Sequence, residues 1–129
     1  MTTSTPFALR LATATGALDR GDHLTAARLL SELVDEAHAT PDTLHGTVEL
    51  RLLLARAYFG SAQLGRAEAT LLSVVADEPT DGYAHLMLGR TLQRRGRHSD
   101  ARRHLTLAGL LGDHARPTAY GEPQEQAAG

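Results

Sequence analysis

The chain is 129 residues long, 42% hydrophobic and 22% charged, with a net charge of -2. This is one domain's worth of soluble globular composition, enough for a modest core and too little for separate catalytic and regulatory modules. The absence of cysteine excludes disulfides and thiolate metal sites, and the near-balanced charge gives no general attraction to nucleic acid or anionic lipid.

Residues 1–5 read as a disordered start. Thr5-Pro6 then opens a first helix, with a capping hydroxyl and a proline where the first helical position tolerates it, and the helix should run to about Arg20. Gly21 and Asp22 make a turn and the next cap. Ala26, Leu29, Leu30, Leu33, Val34 and Ala37 give a broad apolar face to a second helix ending near His38. After a break at Ala39 to Pro41, Thr40-Pro41-Asp42 repeats the cap, proline and acidic first-turn pattern, and a third helix reaches Phe59.

In that third helix Leu50, Leu54, Ala57 and Tyr58 recur at i, i+4, i+7 and i+8, a single apolar stripe. Gly60 is expected to supply the left-handed backbone at its end. Ala67, Leu71, Val74 and Val75 repeat the spacing in a fourth helix, which Pro79 stops. Asp81 caps a fifth helix with Leu88 and Leu92 in its seam, Gly96 ends it, and a sixth carries Ala101, Leu105 and Ala108. Residues 113–129 contain two prolines and no sustained period, and read as a mobile tail.

The helices pair in register. Leu52 and Leu86, Leu54 and Leu88, Arg56 and Arg90, Ala67 and Ala101, Leu71 and Leu105 are each 34 residues apart. Small Ala55 and Gly89 occupy the eighth position of the repeat, large Tyr58 and Leu92 the eleventh, Ala67 and Ala101 the twentieth, and Pro79 the thirty-second. On these residues the chain resembles tetratricopeptide repeat proteins, whose 34-residue helix pairs stack into a solenoid. The first hairpin matches through Ala14, Ala17, Gly21, Ala26, Leu30 and Leu33, but Ala26 precedes Ala67 by 41, seven more than the period. Seven residues are about two helical turns, which longer helices around Thr40-Pro41 can absorb. Four positions depart from the pattern: the bulky aromatic of the fourth position is replaced by Arg10, Arg51 and His85, and Ala62 stands where the turn glycine is expected. The expectation is an all-α domain over residues 6–112, built as three stacked antiparallel hairpins (about 7–40, 48–81 and 82–113) in a short right-handed solenoid. The absence of Lys, Asn and Ile points to a GC-rich bacterial genome.

What the resemblance implies is a non-enzymatic adaptor that holds a peptide or partner protein in a concave groove. Transferred by register, the groove positions are Glu49, Leu52, Arg56, Phe59 and Gly60 in the second hairpin, and Tyr83, Leu86, Arg90, Gln93 and Arg94 in the third. Arginine mixed with aromatic and aliphatic groups suits a partner with acidic and apolar side chains. The alternative is that Leu52 and Leu86 only pack against neighbouring helices and the arginines are solvated. The clamp that chaperone-binding members use for a C-terminal carboxylate falls on Leu11, Thr15, Leu53, Tyr83 and Met87, which cannot form it.

Two other readings rest on the third hairpin. Leu107 and Leu110, with Leu105 and Leu111, make the last helix more apolar than one seam requires, which points to self-association or a partner at this end, or to a tail folded back on Tyr120. Arg90, Arg94, Arg95, Arg97, Arg102 and Arg103 concentrate positive charge there, but only Tyr83 lies near to stack on a base, so nucleic-acid binding is the weaker alternative. The seven histidines form no i, i+4 pair and read as surface residues, with no metal or other cofactor implied. No phosphate loop, nucleophile turn or catalytic carboxylate pair is present. The N-terminus lacks a basic leader, Arg10 interrupts any signal-peptide core, and no apolar run nears the roughly 20 residues that span a bilayer, so a cytoplasmic location is expected.

Overall fold

A computed structural model describes residues 5–40 and 46–112. Pro41-Asp42, residues 1–4, and the expected tail with its Tyr120 anchor lie outside them. Six helices and no strand are present among the described residues: α1 (Phe7–Asp19), α2 (His23–His38), α3 (Gly46–Gly60), α4 (Leu64–Asp77), α5 (Gly82–Arg94) and α6 (His98–Leu111). The chain is therefore all-α. Backbone proximity divides it into two compact units, Met1–Thr70 and Leu71–Gly129, with the boundary inside α4. In the first unit α1 packs on α2 and α2 on α3; in the second α5 packs on α6.

Helix ends account for most of the local agreement. Asp22 accepts from the Thr25 N–H (3.3 Å) and Asp81 from the Ala84 N–H (3.0 Å), two of the side-chain caps expected. The first helix differs: Pro6 itself is the capping residue, accepting from the Leu9 and Arg10 N–H groups, and no side chain caps. Thr5 contributes its carbonyl to the Arg10 guanidinium rather than its hydroxyl to the helix.

The turn inside each hairpin is the same hydrogen-bonded motif. Asp22 donates to the Ala17 carbonyl and Gly21 to Leu18; Gln63 donates to Tyr58 and Ala62 to Phe59; Arg97 donates to Leu92 and Gly96 to Gln93. Each is a 6→1 and 5→2 pair around one left-handed residue. That residue is Gly21 (φ 80°), Ala62 (φ 61°) and Gly96 (φ 79°). The expectation that Gly60 is left-handed is thus corrected: α3 runs through Gly60, and Ala62 takes the left-handed position despite its Cβ. Gly60 is needed for space instead, because a Cβ there would sit 2.4 Å from the His23 ring nitrogen at the start of α2. Gly89 likewise lies under the Leu105 side chain, 2.5 Å from where its Cβ would be.

The seven extra residues are shared out. Relative to α4 and α5, with 14 and 13 residues, α2 and α3 have 16 and 15, and the connection 39–45 is three residues longer than 78–81. The core is aliphatic and small: Ala14, Ala17, Leu30 and Leu33 in the first hairpin, Leu71 and Val74 in α4, and Leu88 and Leu92 in α5 are buried, with Ala67 and Ala101 at the twentieth position. Burial of each such leucine is worth about 1.5–3 kcal/mol. One pattern departs from a single stripe. From Leu50 to Ala55 every residue of α3 is buried, Arg51 included, so this helix is covered on all sides along that stretch.

Candidate functional site

The first helix of a hairpin offers one outward row, and in α3 the row is Glu49, Leu52, Arg56 and Phe59. Leu52 is only 2% exposed and belongs to the core, as its packing alternative holds; Glu49 and Phe59 are half-buried, and Arg56 is exposed. In α5 the matching row runs from half-buried Tyr83 and Leu86 to exposed Arg90, Gln93 and Arg94. The two rows differ in order: in α5 half-buried Tyr83 and Leu86 precede the exposed arginines, whereas in α3 exposed Arg56 lies between buried Leu52 and half-buried Phe59. Arg56 and Arg90 occupy the same register position, and neither is in an ion pair or a hydrogen bond among the described residues.

The fourth repeat position, where the family keeps a bulky aromatic, holds three polar groups with partners. Arg10 reaches across to α2 and donates to both Glu36 oxygens (2.7 and 3.1 Å). Arg51, 5% exposed, turns back on its own helix and donates to the carbonyl and hydroxyl oxygens of Thr47 (3.3 and 3.2 Å). His85, also 5% exposed, spans to α6. Its Nε2 lies 2.8 Å from the Pro79 carbonyl, which accepts only, so that nitrogen carries the proton and a neutral His85 presents a bare Nδ1. The Nδ1 of His104, 3.0 Å away, then donates to it, and the two rings stack with centroids 5.3 Å apart. Burial, followed by the neighbouring His85 and Arg103, pushes His104 below its ordinary value of 6.5, with Asp100 opposing.

This pair corrects the reading of all seven histidines as surface residues. His85 and His104 are 19 apart in sequence, a spacing that no single-helix rule connects. The usable signal was the fourth position itself, since a residue standing where an aromatic ring belongs is expected inside. His23, against Gly60, is half-buried with an Nδ1 that has no hydrogen-bond partner among the described residues. No group of three His, Asp or Glu residues that could hold a metal ion occurs among the described residues.

Two clefts lie on second-helix faces. One of about 690 Å³ in the first unit is lined by Leu24, Arg28 and Glu32 of α2 with Tyr58, Gln63 and Arg66. The other, about 410 Å³, lies between Gln93 of α5 and His98, Arg102, Leu105 and Thr106 of α6. The end-surface leucines are exposed, Leu107 by 37% and Leu110 by 78%, but not on the side of α6 that would continue the stack. In α2 the stripe His23, Ala27, Leu30 and Val34, which starts against Gly60 of α3, is buried or half-buried; its register mates in α6 are His98, Arg102, Leu105 and Gly109, a largely polar edge. No helix among the described residues is long and apolar enough to cross a membrane.

Comparison with known proteins agrees with this geometry. The family described as "Tetratricopeptide repeat" matches residues 17–85. A solved structure described as "MamA MSR-1 C2" is similar at a TM-score of 0.69 and 18% sequence identity, over 82% of this chain and 57% of that one. The chain therefore spans less than two thirds of that structure's length, and the likeness is one of fold. No curated protein matches.

Proposed function

The chain belongs to the tetratricopeptide repeat family, and on that premise we propose that it is a non-enzymatic adaptor which binds a protein or peptide with acidic and apolar side chains along the first-helix rows of α3 and α5. Members of such repeat families are protein-interaction scaffolds, and their first helices supply the binding surface. The observation that carries the reading is the pair Arg56 and Arg90. Both are exposed, neither is in an ion pair or hydrogen bond among the described residues, and each has a half-buried apolar neighbour on its row, Phe59 after Arg56 and Leu86 before Arg90. A cation beside an aromatic or aliphatic platform is the composition of a binding hot spot, and a carboxylate brought to an unpaired arginine displaces no existing bond.

The test compares proteins captured by the wild-type chain and by the double variant Arg56→Glu plus Arg90→Glu, with Arg28→Glu plus Arg66→Glu as the control at the α2 cleft. Loss of one or more partners with the first pair, and their retention with the control, supports the row. An unchanged partner set for Arg56→Glu plus Arg90→Glu removes it.

A further inference from the structure

Two outward helix faces, one on α1 and one on α6, have no role in the fold or in the proposed binding rows, and their residue patterns are complementary. On α1, Leu9, Ala12, Thr13 and Gly16 form a face at i, i+3, i+4 and i+7; Leu9 is 58% exposed, Ala12 and Thr13 are exposed and Gly16 is half-buried. The Thr13 hydroxyl donates to the Leu9 carbonyl (3.0 Å), so it asks nothing of a partner. Forty-one residues on, the same positions are Leu50, Leu53, Leu54 and Ala57, all buried. Seventy-five residues on they are Ala84, Met87, Leu88 and Thr91, buried except for half-buried Met87. The repeat therefore makes this a face for another helix to cover, and in α1 it is open.

The α6 face is the reverse case. Leu107, Leu110 and Leu111 stand in register with Ser73, Ala76 and Asp77 of α4 and with Glu32, Asp35 and Glu36 of α2, all exposed. The hairpin fold is thus satisfied at these positions by polar or small residues, and nothing in it calls for three leucines at 37%, 78% and 37% exposure. One turn before them on the same face is exposed Arg103, and three residues beyond the α1 face is exposed Asp19.

We propose that these two faces bind each other between copies of this chain, α6 of one copy lying antiparallel on α1 of the next. The occupant follows from three matches. Arg103 to Leu110 and Asp19 to Ala12 are both seven residues, about 10 Å of helix, so an antiparallel docking that pairs Arg103 with Asp19 also sets Leu110 over Ala12. Large meets small, with Leu110 and Leu111 over Ala12 and Thr13, the pattern that lets two helix axes approach; Leu107 reaches Gly16 once the flexible Arg20 guanidinium, 3.5 Å from where a Gly16 Cβ would be, swings aside. Charge agrees over the wider surface, because residues 82–111 hold six arginines and one aspartate while residues 7–38 hold five acids and three arginines. The contact joins unlike faces, so it is head-to-tail, and it extends beyond two copies unless it closes into a ring.

Sedimentation of the full chain over a concentration series up to about 1 mM, the range suited to a small interface, tests this. The expected result is a mass that rises with concentration and falls back as salt is added. Leu110→Glu and Ala12→Glu are each expected to be monomeric, yet their mixture is expected to form a dimer and nothing larger, since each variant keeps one intact face. Arg103→Asp or Asp19→Arg alone should weaken association about tenfold, and the two swaps together should restore it. Arg56→Glu plus Arg90→Glu should leave the mass unchanged, which separates this contact from the adaptor surface. A wild-type chain that stays monomeric, self-association by either glutamate variant alone, or a mixture that fails to dimerise overturns the proposal.

Discussion

Replacing Ala62 by glycine should stabilise the protein, although it removes a methyl group and adds no contact. Ala62 is the one described residue other than glycine with a positive φ, at 61°, and its two register mates in the other hairpin turns are Gly21 and Gly96. An L-residue in the left-handed region carries about 1–2 kcal/mol of steric cost that glycine does not. Glycine's wider freedom in the unfolded chain gives back about 0.4–1 kcal/mol. Ala62 is exposed, so its methyl contributes no packing to offset the relief. The net expectation is about 0.5–1 kcal/mol in favour of Ala62→Gly, which for a chain of this size raises Tm by about 2–6 °C. Thermal unfolding followed by circular dichroism at 222 nm is sufficient, with Gly96→Ala as the reciprocal: the same backbone, the opposite sign. A Tm for Ala62→Gly equal to or below wild type would refute the reasoning, since it would mean that this turn does not hold residue 62 where its hydrogen bonds place it.

Three further outcomes follow from the packing and the buried polar groups. Gly60→Ala should cost about 1–3 kcal/mol, because its Cβ meets the His23 ring 2.4 Å away and the ring must leave its place on α3; urea unfolding reads the loss, and His23→Ala in the same chain should recover part of it. Leu88→Ala empties a fully buried site between α5 and its neighbours and should cost about 2–5 kcal/mol, measured the same way. Stability should also fall as pH drops through about 6.5: His104 is held below that ordinary value in the folded protein, so the unfolded chain binds the proton more readily, and the contribution is complete above the unfolded value and lost below it. His104→Gln should flatten the urea midpoint against pH between about 5 and 7.5, and an unchanged slope would remove His104 as the source.

The repeat was legible because it is written in small residues at fixed intervals. Ala67 and Ala101, and Ala55 with Gly89, are where helix axes must come close, and no larger residue substitutes for them there. Helix caps at Asp22 and Asp81 were legible for a similar local reason, one side chain acting on one backbone group three residues on. Gly60 misled because glycine has two uses, and only the tertiary neighbour His23 distinguishes space from backbone conformation. The His85–His104 contact was invisible to spacing rules since it joins two helices, and the burial of Arg51 was hidden because an arginine inside a leucine run reads as a solvated break. Of the row residues, Arg56, Arg90, Gln93 and Arg94 are exposed, whereas Leu52 is not; register names a position, but how much of it remains uncovered depends on what packs beside it.

The uniform turn inside the hairpins has a consequence for how such a chain can change over generations. With the left-handed residue and its two hydrogen bonds the same at Gly21, Ala62 and Gly96, the turn's length is fixed, while helices vary by up to three residues and the connections between hairpins by three. Recombination that cuts at 39–45 and again at 78–81 would therefore copy or delete a whole cassette of core, caps and turn together. Duplication of that block is the cheapest route by which a gene of this kind grows a longer array, and a synthetic chain lengthened at those joints should inherit each turn unaltered.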